Sequence, residues 1–137
     1  MVAFKLRRFS TALLLFLIGL YSLPVLSQQL TFCEKVDRNG NAQKPSNYFI
    51  IRPTGGTVQA LVTYPRPLQL NEATIDIYQI GPQGKEQFES SVNLPVQQDW
   101  LWFVQPLRFY KKGNYVVYVY GDKSRLLGVS KIRIDVR

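Results

Sequence analysis

Residues 109–121 read FYKKGNYVVYVYG. After the Lys-Lys-Gly-Asn turn, residues 115–120 are apolar or aromatic at every position, whereas a half-buried strand needs such side chains only at alternate ones. Tyr115, Val117 and Val119 share one parity; Val116, Tyr118 and Tyr120 share the other. One set faces a core, and the other requires its own explanation. Either a loop or residues 28–47 fold over the second set, or aromatic side chains occupy the strand because they suit strands, or the set forms a binding face.

Working outward, residues 130–137 alternate Ile132, Ile134 and Val136 with Lys131, Arg133, Asp135 and Arg137, so the inward face of the last strand is unambiguous. Leu127 and Val129 have the wrong parity for it, which predicts a β-bulge near Gly128. Upstream, residues 99–104 (DWLWFV) form another strand candidate, ended by Pro106. Residues 85–93 are polar with only Phe88 and Val92 to bury, a composition suited to a sheet edge. The turn Gly81-Pro82-Gln83-Gly84 joins that run to residues 73–80, where Ile75 and Ile77 oppose Asp76 and Tyr78. Residues 57–64 place Val58, Ala60, Val62 and Tyr64 on one face, and residues 48–52 make a short β-rich run. A first strand over residues 30–36 precedes Asn39-Gly40, a tight-turn signal. No segment has a helical period and no internal repeat occurs. About seven short strands predict an all-β antiparallel sandwich or small barrel.

Gly113-Asn114-Tyr115-Val116-Val117 resembles the G-x-Y-x-C stretch of immunoglobulin-like sandwiches, with Val117 where antibody-type domains carry Cys. The resemblance implies that Gly113 and Tyr115 form a structural corner, the Tyr115 hydroxyl tying down the chain just before the penultimate strand. Lys111 stands where Asp is frequent, and the Cys…Trp…Cys frame is absent. The likeness is therefore to an exported bacterial-type or fibronectin-III-like domain, a sandwich of about seven strands.

The 46% hydrophobic and 19% charged residues describe one ordinary globular domain. Lys5, Arg7 and Arg8 precede an uncharged apolar run over residues 9–26 and then Val25-Leu26-Ser27, the layout of a signal peptide over residues 1–27 cleaved before Gln28. An uncleaved anchor is the alternative. Cleavage would leave 110 of the 137 residues, with no membrane span: an N-terminal strand and loop over 28–47 and the sandwich over 48–137. Export to the periplasm or the exterior follows from that reading. Loss of three basic residues and no acid lowers the net charge from +8 to +5, and the whole excess lies in residues 99–137, with eight basic residues against three acidic. Such an imbalance solvates a face or attracts an anionic partner, such as an acidic polysaccharide or lipid headgroups. No nucleic-acid motif is recognisable.

Cys33 is the only cysteine, so no internal disulfide exists. It is either a small buried side chain or the site of an intermolecular disulfide. With no His in the chain, the usual general base and commonest zinc ligand are missing, and no glycine-rich phosphate loop occurs; no cofactor is expected. A carboxylate-pair hydrolase needs only two acids, yet no pair stands out. The leading expectation is a non-enzymatic binding module of the cell envelope or exterior. Its sheet face would present Tyr78, Tyr118 and Tyr120 beside Lys131 and Arg133 to an anionic polysaccharide, a sugar or a protein. A structural subunit attached through a sheet edge or Cys33 is the alternative.

Overall fold

Every periodic run of the sequence becomes a strand in the computed structural model, which describes residues 29–137. The expected signal peptide lies outside the described residues. The strands are β1 (Gln29–Cys33), β2 (Lys35–Val36), β3 (Ala42–Gln43), β4 (Tyr48–Ile51), β5 (Gly56–Thr63), β6 (Glu72–Ile80), β7 (Glu86–Pro95), β8 (Trp102–Phe109), β9 (Gly113–Tyr120) and β10 (Leu126–Val136). One sheet has the order β1-β5-β8; the other has the order β4-β10-β9-β6-β7; β2 and β3 form a separate hairpin. All pairings are antiparallel except β4 with β10. This is an immunoglobulin-like β-sandwich in which the first strand is divided: β1 joins one sheet, and β4 joins the other.

Strand β1 takes part in the sandwich: its Phe32 pairs opposite Ala60 and is buried in the core. The expected first strand, residues 30–36, breaks at Glu34 into β1 and β2. Between the sheets, Val58, Ala60 and Val62 of β5 and Phe103 and Leu107 of β8 meet Ile75, Ile77, Val117, Val119, Ile132 and Ile134. Each such side chain, fully removed from water, contributes about 1.5–3 kcal/mol before chain entropy is set against it.

Parity in β10 works out through the expected irregularity. Its register with β9 shifts between Leu126 and Gly128, and the extra residue, Leu127, turns into the core while Val129 stays exposed. A second shift, between Ile77 and Tyr78 of β6, makes Glu89 the extra residue of β7. Phe88 consequently faces outward and is 57% exposed, which corrects its assignment as a buried side chain. The run expected over residues 99–104 also shortens. Gln98, Trp100 and Leu101 give their carbonyls to the amides of Gln69, Leu68 and Tyr64, and the strand begins at Trp102.

Candidate functional site

The two sheets treat their outer faces differently. On the three-stranded sheet, Cys33, Leu61, Trp102, Val104 and Pro106 point away from the core by register. Cys33 and Leu61 are nonetheless buried, and neither belongs to the core between the sheets. The β2–β3 hairpin covers them: Glu34 donates its amide to the Gln43 carbonyl at 3.2 Å, and the turn at Gly40 lies on the Trp102 indole. A Cβ at Gly40 would sit 2.5 Å from the Trp102 Nε1, and its φ of +81° is also one that L side chains avoid. The Cys33 thiol points to the Gln59 carbonyl at 3.8 Å, and burial pushes its pKa up. Of the two readings of Cys33, these facts agree with the small buried side chain. A sulfur with no exposed surface and a suppressed thiolate cannot reach a partner while the hairpin is closed.

The outer face of the five-stranded sheet has no such cover among the described residues. Strand parity places Tyr78 of β6, Val116, Tyr118 and Tyr120 of β9, Val129, Lys131 and Arg133 of β10 and Tyr48 of β4 on it. Residues 29–47 do not fold over the tyrosines, because β1 pairs in the other sheet and the β2–β3 hairpin lies against Trp102 of that sheet. Tyr78 is the hub. Its ring meets Phe88 edge-on at 5.6 Å and Tyr118 edge-on at 5.5 Å, while Tyr118 and Tyr120 stack at 6.2 Å. Beside this row Val129 is 51% exposed and Leu126 is similarly open. Val116 is outward as expected but buried, lying in register between Tyr78 and Lys131.

Hydrogen bonds hold the rings in place. The Tyr118 hydroxyl donates to both oxygens of Glu86, at 2.8 and 3.0 Å, and this carboxylate pushes its pKa up to about 12. Asp76 lies opposite Tyr118 and accepts from the Ser91 hydroxyl at 2.5 Å. The aromatic row is thus accompanied by carboxylates. Lys131 and Arg133 share the face but lie a strand away, and the Arg133 guanidinium sits over the Tyr48 ring at 5.7 Å. Tyr48 in turn donates to Asp135 at 3.0 Å; that bond, after the Val136 amide, keeps the Asp135 carboxyl below its usual range. The structure therefore brings Tyr78, Tyr118 and Tyr120 together and leaves Lys131 and Arg133 as a separate flank. It adds Val129, which keeps the outward parity of Lys131 and Arg133, and Phe88 and Leu126, which parity counting from the sequence could not place because each depends on a bulge.

Tyr115 lies on the opposite side of β9, 3% exposed, and donates its hydroxyl to the Lys111 carbonyl at 2.7 Å. The Phe109 ring packs on it at 5.0 Å, and Gly113 begins the strand with a φ of +158°.

Three of the four edges of the two larger sheets, β8, β7 and β4, are guarded. Pro106 pairs with Gln59 and has no N–H to donate, so its backbone nitrogen must face the open side of β8, where it interrupts the ladder an added strand would need. β7 carries its bulge and the charges of Glu86 and Glu89, and β4 has only four residues. Attachment through an edge is opposed at each of these strands.

No protein-family model and no curated protein matches the chain. Among solved structures it is similar to an immunoglobulin-like protein of Pseudomonas aeruginosa, at 15% identity over 80% of this chain and 91% of that one, with a TM-score of 0.47. It is also similar to the PmoD soluble domain of Methylocystis, at 10% identity over 80% and 90% with a TM-score of 0.45. A third is a superoxide reductase of Ignicoccus hospitalis, at 13% identity over 81% and 80% with a TM-score of 0.43. These are likenesses of chain path, and no role follows from them.

Proposed function

We propose that the protein is an exported, non-enzymatic binding module of the cell envelope or exterior, and that the outer face of its five-stranded sheet engages a protein partner. The observation that carries this reading is the outward aromatic row, in which Tyr78, Tyr118 and Tyr120 are half-buried against one another and Phe88 is exposed, with Val129 and Leu126 open alongside, on a molecule whose other sheet covers its outer face with its own hairpin. Contiguous exposed apolar surface of this kind marks contact sites, and aromatic side chains act as anchors in them. A protein suits the face better than an anionic polysaccharide, because Glu86 and Asp76 accompany the rings and repel anions there. The mechanism is surface burial: Tyr78 and Tyr118 are already oriented by their neighbours, so few rotamers are lost on docking.

The test compares the chain from Gln28 with its Tyr118→Ser/Tyr120→Ser and Lys131→Gln/Arg133→Gln variants as baits in native envelope extracts. The expected result is a stoichiometric protein partner retained by the parent and by the charge variant, and lost by the double Ser variant at unchanged melting temperature. A double Ser variant that melts far below the parent, or one that keeps the partner, overturns the assignment.

A further inference from the structure

A second surface, independent of the sheet face, lies at one end of the sandwich. Register places three turns together there: Val136 pairs with Ile51, Gly56 with Phe109, and Ile80 with Asn114, so residues 52–55, 81–85 and 110–112 share that end. They carry Arg52, Lys85, Lys111 and Lys112 and no acidic residue. Arg137, just after β10, donates its amide to the Ile51 carbonyl at 3.0 Å and joins the same end. At the opposite end, residues 64–71, 96–101 and 121–125 mix Arg66, Lys123 and Arg125 with Asp99 and Asp122. None of the basic residues at the first end is in an ion pair; among the described residues the one such pair is Lys44 with Glu34, in the hairpin region.

At the centre of this basic end stands Tyr110, 61% exposed. Its ring is held rather than loose: the Arg108 guanidinium lies over it at 5.4 Å, and a Cβ at Gly55 would be 3.1 Å from its edge. An exposed tyrosine beneath the Arg108 guanidinium, on the turn that carries Lys111 and Lys112, has the amphipathic chemistry of a headgroup-level anchor. We propose that this end of the sandwich docks on an anionic lipid bilayer, with Lys111, Lys112, Arg52 and Lys85 against the headgroups and Tyr110 inserted among them. A planar surface fits better than a polyanion chain, because the charges sit on separate turns around a projecting ring and follow no groove. The cavity of about 350 Å³ beside the tip is walled by Glu89 as well as by Arg108 and Lys111.

Vesicle co-sedimentation of the chain from Gln28, which contains every core residue among those described, tests the proposal. The expected result is binding to phosphatidylcholine vesicles containing phosphatidylglycerol, none to phosphatidylcholine alone, and loss of binding as salt rises. Lys111→Gln/Lys112→Gln should lower partitioning roughly 30-fold, on the scale of juxtamembrane basic residues. Lys123→Gln/Arg125→Gln, at the opposite end, should leave it within about twofold, being beyond the screening length from the surface. A Tyr110→Trp variant should add a fluorescence component that shifts to the blue on vesicles, while the signal of Trp100 and Trp102 at the far end stays fixed. Absence of vesicle binding, equal losses from the two charge variants, or binding to a soluble acidic polysaccharide in place of vesicles each overturns it.

Discussion

The three-stranded and five-stranded sheets face the same core and solve the problem of their backs in opposite ways. Behind the first, the β2–β3 hairpin lies over Cys33 and Leu61 and rests its turn on Trp102. Behind the second, Phe88 and Tyr48 are exposed and Tyr78, Tyr118 and Tyr120 are half-buried among their neighbours, fastened to one another and to Glu86 and Asp135, with no segment laid over them among the described residues. A chain that covers one outer face with residues 34–43, and leaves Phe88, Leu126 and Val129 exposed on the other, separates a face that serves stability from one free to serve contact.

Substitutions on the two faces should therefore diverge. The largest effect is expected from Leu61→Ala, which leaves a void under the hairpin and should cost about 2–5 kcal/mol. Val129→Ala, on the open face, should stay within about 0.5 kcal/mol. Urea denaturation of the pair checks this, and equal costs would break the contrast.

Gly40→Ala should come next, at about 1–2 kcal/mol for the left-handed backbone alone, with the contact against Trp102 adding to it. The same denaturation experiment reads it; an unchanged midpoint would mean that the hairpin contributes nothing to the cover. Within β9 the contrast sharpens to a single atom on each side. Tyr115→Phe removes a buried hydroxyl's bond to the Lys111 carbonyl and should cost about 1 kcal/mol. Tyr118→Phe removes an exposed one and should stay within about 0.5 kcal/mol.

The smallest expected effect concerns pH. Tyr118 titrates at about 12 in the folded protein because its hydroxyl bonds Glu86, against an ordinary value near 10. A raised phenol pKa means that the contact's contribution is complete below about pH 10 and is lost as pH climbs toward 12. Solvent screening keeps its size small. Tyr48, Tyr64, Tyr115 and Tyr120 are also pushed up, so tyrosinate absorbance should lose one phenol from its late-titrating component in Glu86→Ala; an unaltered titration curve would remove the bond.

Much of this was legible in the sequence, and the exceptions share a cause. Alternation assigned the inward residues of β5, β6, β9 and β10 and demanded the bulge that turns Leu127 inward. The same counting failed for Phe88, because a bulge in a polar edge strand leaves no apolar residue with conflicting parity to reveal it. Cys33 was ambiguous for a different reason: its cover is a hairpin of two-residue strands, Lys35–Val36 and Ala42–Gln43, too short to carry a period. At the candidate site, the tyrosines of β9 could be read from the run itself. The separation of Lys131 and Arg133 from them depends on Val116 and on Tyr48, which strand pairing alone sets.

The lone sulfur beneath the hairpin also equips the molecule with a clock. A water-soluble thiol reagent can reach Cys33 only in the fraction of time that residues 34–43 lift away, so the observed labelling rate is the rate for an open thiol multiplied by the opening equilibrium. Each increment of about 1.4 kcal/mol holding the hairpin down slows that chemistry tenfold. The breathing of one local unit can thus be timed in the intact protein, with no thiol introduced by substitution and no other cysteine to confuse the count.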